Sequence, residues 1–188
     1  MIIKNNQVIY NMDKNNEPVM TAKSGDRIVF ETLDCFTCEL TIEDQDFNGI
    51  DFDKVNPATG PLYIEGAEAG DVLRVKIEKI NVEERGVSMV EPGLGVLGDR
   101  VKEGKTRIME VKDGKVRFRS LSFLVNPMVG VIGTAPAGEG VNTGTPGDHG
   151  GNLDCTQVRE GSSIYLPVNV EGDYLPWETF TLPWEMAK

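Results

Sequence analysis

The chain has 188 residues, 39% hydrophobic and 26% charged, which suits one soluble globular domain with a substantial core and excludes a disordered segment. Its formal charge of -11 reflects 30 acidic against 19 basic side chains, and with no basic run this excludes nucleic acid as a partner, since phosphate binding is driven by Lys and Arg. No apolar run reaches the roughly 18 residues of a membrane span, and Met1-Ile-Ile-Lys-Asn-Asn is too short in its apolar part for a signal peptide.

Strand patterns dominate in chain order. Arg27-Ile-Val-Phe-Glu-Thr32 alternates after the turn Lys23-Ser-Gly-Asp26. Cys35-Phe-Thr-Cys38 has the spacing of a redox or zinc pair. Its flanks read as strand rather than the helix a thioredoxin-like pair opens, and a zinc ribbon would need a second pair. With Cys155, these are expected to be reduced thiols of a cytoplasmic protein. Residues 47–61 form a long Gly/Pro-rich stretch, too long for a plain hairpin turn. From Asp71 to Glu83 the chain runs with period 2, Val72, Arg74, Lys76 and Glu78 interleaving with Leu73, Val75 and Ile77. A second irregular stretch, Gly86 to Asp99, leads to a hairpin in which Lys112-Asp-Gly-Lys115 turns between Arg107–Val111 and Val116–Arg119. Asn126 to Asn152 is the longest irregular segment, and Ser163–Val168 is a last strand. No window carries a helical apolar stripe. The expected fold is all-β, a β-sandwich or barrel-like domain with long Gly/Pro-rich loops.

The densest chemistry lies in Gly144-Thr-Pro-Gly-Asp-His-Gly-Gly-Asn-Leu-Asp154, which holds the only histidine of the chain. Glycine lets the backbone turn sharply and approach a ligand closely. His149 and Asp154, five positions apart across Gly150-Gly151, are candidates to converge on a metal ion or a reacting group. The competing reading is a turn in which Asp154 caps backbone donors.

Several segments together resemble the acetamidase/formamidase family of linear-amide hydrolases. They are Asp34-Cys-Phe-Thr37, Asn56-Pro-Ala-Thr-Gly-Pro-Leu-Tyr-Ile-Glu-Gly-Ala-Glu-Ala-Gly-Asp71, Pro127-Met-Val-Gly-Val-Ile-Gly-Thr-Ala-Pro136 and Thr143–Asp154, in the family's order and spacing. The resemblance spans most of residues 1–170 and implies an all-β fold that hydrolyses formamide, acetamide or a similar short amide to a carboxylic acid and ammonia. Asn56 departs from it, since family members commonly carry His there.

Such hydrolysis needs an activated water or nucleophile, an oxyanion stabiliser and an acid for the departing amine. The chain has no Gly-x-Ser-x-Gly elbow, so a metal-activated water fits best. The expected ion is zinc, with calcium as the alternative, and His149, Asp154 and, more weakly, Asp34 are the candidate ligands. His149, Asp154 and Glu65 are the candidate catalytic residues, Glu65 serving as base from a Gly-Ala turn that also reads as merely solvated. Asn152 and the amides of Gly150 and Gly151 are candidates to hold the substrate. A small-molecule amide substrate, no nucleic-acid or membrane partner and a homo-oligomer are expected. The alternative is a non-catalytic metal-binding or assembly module derived from the family.

Residues 171–188 are an atypical tail, in which Leu175–Lys188 resembles nothing in the family, whose longer members continue with Leu-Gly-Asp-x-His-Ala-Ala-x-Gly-Asp-Gly-Glu; a natural short paralogue with its own tail is one reading of it. Read in a shifted frame, the codons from Pro176 onward permit Leu-Gly-Asp-Leu-His-Ala-Ala-Met-Gly-Asp-Gly-Glu. Trp177-Glu178, Trp184-Glu185 and Met186-Ala187 compel its glycines. The expectation is that roughly the last dozen residues are a frameshifted reading of that segment, an atypical tail outside the family core, with activity weakened or lost.

Overall fold

A computed structural model describes residues 1–45, 50–172 and 174–178 of the chain. The described residues contain no α-helix, only the short 3-10 turns Phe52–Lys54 and Gly98–Arg100, and no helix long and apolar enough to cross a membrane. Short strands open the chain: β1 (Ile2–Ile3), β2 (Val8–Ile9), β3 (Asn11–Met12), β4 (Met20–Ala22) and β5 (Val29–Phe30). Longer ones follow: β6 (Ala58–Ile64), β7 (Val72–Lys76), β8 (Arg85–Val90), β9 (Lys105–Lys112), β10 (Lys115–Phe118) and β11 (Leu121–Leu124). The last are β12 (Val131–Gly133), β13 (Val141–Asn142), β14 (Gly150–Asn152), β15 (Ser163–Pro167) and β16 (Tyr174–Glu178).

A central six-stranded sheet runs β14-β12-β16-β6-β2, with β4 added parallel to β6. The antiparallel pair β7–β15, the parallel pair β1–β5, the pair β3–β13 and the antiparallel meander β8–β11 form further, smaller sheets. The largest core cluster joins Leu62 of β6, Ile132 of β12 and Leu175 of β16 to Ile3, Ile77 and Leu166 of β15. Strands of several sheets thus share this interior in a sandwich-like all-β domain, while Met109, Val111 and Val116 of the meander form a cluster of their own, each fully buried aliphatic side chain contributing about 1.5–3 kcal/mol.

The expected period-2 run begins β7, with Val72, Arg74 and Lys76 exposed while Leu73, Val75 and Ile77 turn inward. Strand geometry ends at Lys76, because Ile77 N–H already donates to Ser162 O where β15 begins. The expected hairpin forms between β9 and β10, with Asp113 and Gly114 at φ +50° and +70°, the pair of left-handed residues a two-residue turn requires.

The long irregular stretches are more ordered than their Gly and Pro content predicts. Gly86 lies inside β8, residues 58–61 begin β6, and 126–152 contain β12, β13 and β14. These last strands are two or three residues long, too short for alternation to register as a pattern. Residues 174–178, within the segment expected to be an atypical tail, form β16, antiparallel to both β6 and β12 at the centre of the sheet. Residues 179–188, which carry most of the proposed shifted-frame segment, lie outside the described residues.

Candidate functional site

The His149 loop is shaped by its own backbone. Asn142 Oδ1 accepts the Gly144 N–H (2.9 Å) and Asn142 O accepts the Thr145 N–H (2.9 Å), reversing the chain. Gly147 and Gly150 then exchange both backbone hydrogen bonds (2.8 and 3.0 Å), leaving Asp148 and His149 at the tip of a closed hairpin. Gly150 and Gly151 follow at φ +103° and +88° and pair with Gly133 and Ile132. A Cβ on Gly150 would overlap Ile132 O, and one on Gly151 would overlap Thr145 O. The Gly-Gly pair is therefore a steric requirement of seating this hairpin on β12.

His149 is 7% exposed. Its carbonyl accepts the Thr134 N–H at 2.8 Å, and its Nδ1 packs so close to Gly147 that a Cβ there would lie 2.9 Å away. Nε2 is buried and has no hydrogen-bond partner among the described residues. Burial pushes the imidazole pKa below its ordinary value, partly opposed by the neighbouring Asp148 carboxylate. The folded chain thus holds a neutral imidazole, with one nitrogen able to accept and the other to donate. A buried polar atom without a partner costs about 1–3 kcal/mol, so Nε2 is the atom of this loop that gains most from a bound water or ligand.

The other predicted residues lie around this hairpin or away from it. Asp154, exposed and at φ +43°, follows β14, and its N–H reaches Gly130 O (3.2 Å). His149 is anchored at Thr134 and Asp154 at Gly130, four residues or roughly 13 Å apart along the strand direction. Asn152, with its amide nitrogen turned toward Asp154, donates to both carboxylate oxygens (3.2 and 3.3 Å). The Gly150 N–H is engaged within the hairpin, and Gly151 is paired with Ile132.

Asp34 Oδ1 accepts the N–H groups of Phe36 (2.9 Å) and Cys38 (2.8 Å), capping the turn that contains both cysteines. Burial and the Asp34 carboxylate push the Cys38 thiol up, while a hydrogen bond with the Asp34 backbone and the Arg85 charge oppose them. Glu65 is exposed and ion-paired to Lys23 (3.5 Å), beyond the end of β6. Strands β12 and β16 stand between β6 and β14, so three strand spacings, roughly 14 Å, separate Glu65 from the His149 hairpin. Among the described residues no three His, Cys, Asp or Glu side chains come together as a metal centre.

Three residues that the motif reading leaves without a role are joined to the loop. Asn56, left-handed at φ +56°, donates its N–H to Cys35 O (2.8 Å) and accepts from Thr143 Oγ1 (2.7 Å). Thr143 and Thr134 are fully buried. Their only sequence signal is their place beside glycines in the Gly133-Thr134 and Thr143-Gly144 segments, which does not disclose the distant carbonyls they meet.

Residues 3–139 match the sequence profile of the Acetamidase/Formamidase family. The chain belongs to that family. Its fold is similar to that of the acetamidase from Bacillus halodurans, with 45% identity and a TM-score of 0.93 over 95% of this chain and 61% of the other. An acetamidase/formamidase structure from the thermophile Thermoanaerobacter tengcongensis matches at 44% identity and TM-score 0.91, over 94% and 59% of the two chains. A formamidase of Methylophilus methylotrophus is 23% identical over 81% of this chain and 52% of its own length. This member of the acetamidase/formamidase family spans about half the length of the curated relatives it matches.

Proposed function

We propose that the chain serves hydrolysis of the carbon–nitrogen bond of short linear amides, with formamide and acetamide as the first substrates to try. The relatives named acetamidase and formamidase support the reaction class. The observation that carries the reading is the unpartnered, buried Nε2 of the only histidine, held on a glycine hairpin. Because Nε2 is shielded from bulk solvent, the partner it takes is small, a water molecule or an ion.

In the reaction, water adds to the amide carbonyl carbon as a neutral imidazole takes one of its protons. The imidazolium returns that proton to the departing nitrogen, the C–N bond breaks, and the products are the carboxylic acid and ammonia. Burial, which lowers the His149 pKa, favours the neutral form this needs, and the closed hairpin supports the role by fixing the backbone on either side.

A divalent ion would, when bound, lower the pKa of its water and polarise the carbonyl. The nitrogen donor of His149 suits zinc better than calcium, which takes oxygen ligands. Asp154 and Asp34 remain the proposed carboxylate ligands, but the described residues do not assemble the set of three that a catalytic zinc requires.

The lack of a three-ligand cluster among the described residues weighs against a metal-activated water and so favours a second reading, a non-catalytic assembly module that keeps the His149 loop without turnover. The exposed Leu94, Val96 and Leu97 between β8 and β9 support self-association in either case. Ammonia release from formamide and acetamide, with zinc content by elemental analysis, separates the readings for the native chain and His149→Ala. Release that is lost in His149→Ala supports the hydrolase. Zinc bound through His149 without release supports the module, and neither zinc nor release in the native chain rejects both.

A further inference from the structure

We propose that Thr134 and Thr143 are positioning residues that clamp the two ends of the His149 loop and thereby set the imidazole. The two make the same pattern of bonds. Thr134 donates its backbone N–H to His149 O (2.8 Å) and its hydroxyl to Pro167 O (2.8 Å), with His149 O a second, longer hydroxyl contact at 3.4 Å. Thr143 donates its backbone N–H to Tyr10 O (3.1 Å) and its hydroxyl to Asn56 O (2.7 Å), with Tyr10 O again the longer contact at 3.3 Å. Each threonine thus binds two carbonyls from different parts of the chain, and both side chains are fully buried.

The effect on the loop follows from where the carbonyls lie. Thr134 ties the hairpin tip to the end of β15. Thr143 ties the loop's entry to the residue after β2 and to left-handed Asn56, whose own N–H reaches the cysteine turn. Between these points the loop is held by its internal turns and its short pairing with β12. A buried threonine at each end keeps every carbonyl involved satisfied. Valine has the same shape without the hydroxyl, so it leaves Pro167 O or Asn56 O without that donor. Serine keeps the donor.

The assignment rests on reading His149 as the working imidazole, but its test needs no turnover. The chain has one histidine, so its imidazole proton resonances are read without assignment. In the native chain at constant pH, Thr134→Val and Thr143→Val should each shift those resonances and speed amide exchange of Gly147 and Gly150 by about tenfold. Thr134→Ser and Thr143→Ser should return both readouts to native values. Thr106→Val is the control for lost stability alone, since Thr106 is also fully buried and donates to Gln45 O (3.0 Å) in another sheet. It should leave the imidazole resonances in place.

Unchanged resonances in the valine variants, serine variants that do not restore them, or an equal shift in Thr106→Val would each overturn the proposal. Should Thr134→Val not fold, Thr143→Val decides by the same criteria. Absent ammonia release with native resonances intact counts against the hydrolase reading and leaves the clamps standing.

Discussion

Alanine at Gly151 should cost the protein far more than alanine at a glycine with equal backbone strain. Gly151 has φ +88°, and a left-handed alanine costs about 1–2 kcal/mol. The new Cβ would also overlap Thr145 O and stand 3.1 Å from its carbonyl carbon. Relief needs the 145–147 segment to retreat by about 1 Å, enough to disrupt the two hydrogen bonds between Gly147 and Gly150, each contributing about 1 kcal/mol. The total is about 3–4 kcal/mol, a large share of a typical domain's 5–15 kcal/mol. Equilibrium urea unfolding reads it as a midpoint lowered by about 1.5–2 M if m is about 2 kcal/mol/M. Two other glycines separate the contributions. Gly161 has φ +84° with nothing within 4 Å of its Cβ position, so Gly161→Ala should lose only the backbone cost, about 1–2 kcal/mol. Gly138 has neither constraint, and Gly138→Ala should be neutral or stabilising by under about 1 kcal/mol. A Gly151→Ala midpoint equal to that of Gly161→Ala would refute the steric reasoning.

His149 carries a pH prediction. Burial keeps its imidazole neutral when folded, so the unfolded chain binds the proton first as pH falls below about 6.5. Its contribution to stability is therefore complete above that pH and is lost as pH falls toward the depressed folded value. His149→Gln should flatten this part of the profile, and native and variant urea midpoints falling in parallel between about pH 7.5 and 5 would contradict it. Asp34→Ala should destabilise by about 1–2 kcal/mol by stripping an acceptor from two N–H groups, with Asp34→Asn recovering most of it in thermal melts. Asn56→Ala should lose about 1 kcal/mol that Asn56→Gly largely retains, because glycine accepts the left-handed φ without strain. Glu65→Gln should leave stability and any ammonia release as in the native chain, since its carboxylate faces Lys23 across the sheet from His149.

What the sequence discloses here is local. Asp113-Gly114 predicts its hairpin because the turn's two left-handed positions are written in two adjacent residues. Val72–Ile77 predicts its inward face because alternation spans enough residues to stand out. Gly150-Gly151 is visible as unusual backbone, but the atoms that forbid a Cβ there belong to Ile132 and Thr145. The candidate residues divide in the same way. His149 and its glycines are close in sequence and close in space. Glu65 looks like a site residue in a motif, yet strand order places it across the sheet. The hydroxyls of Thr134 and Thr143 reach carbonyls 33 and 87 residues away, a relation that no local pattern encodes.

The placement of β16 bears on how the protein is made. Its residues follow those of β6 and β12 along the chain, yet it lies between them, pairing Tyr174 with Tyr63 and Ile132 with Trp177. During synthesis both neighbours leave the ribosome before the strand that joins them. Until it arrives each exposes an open pairing edge, and the buried position of Leu175 is unfilled. Closure of this sheet must therefore wait for residues 174–178 and join segments far apart in sequence, the slow class of contact in folding. Before β16 is made, the facing edges of β6 and β12 are open to pairing with a chaperone or with another nascent copy.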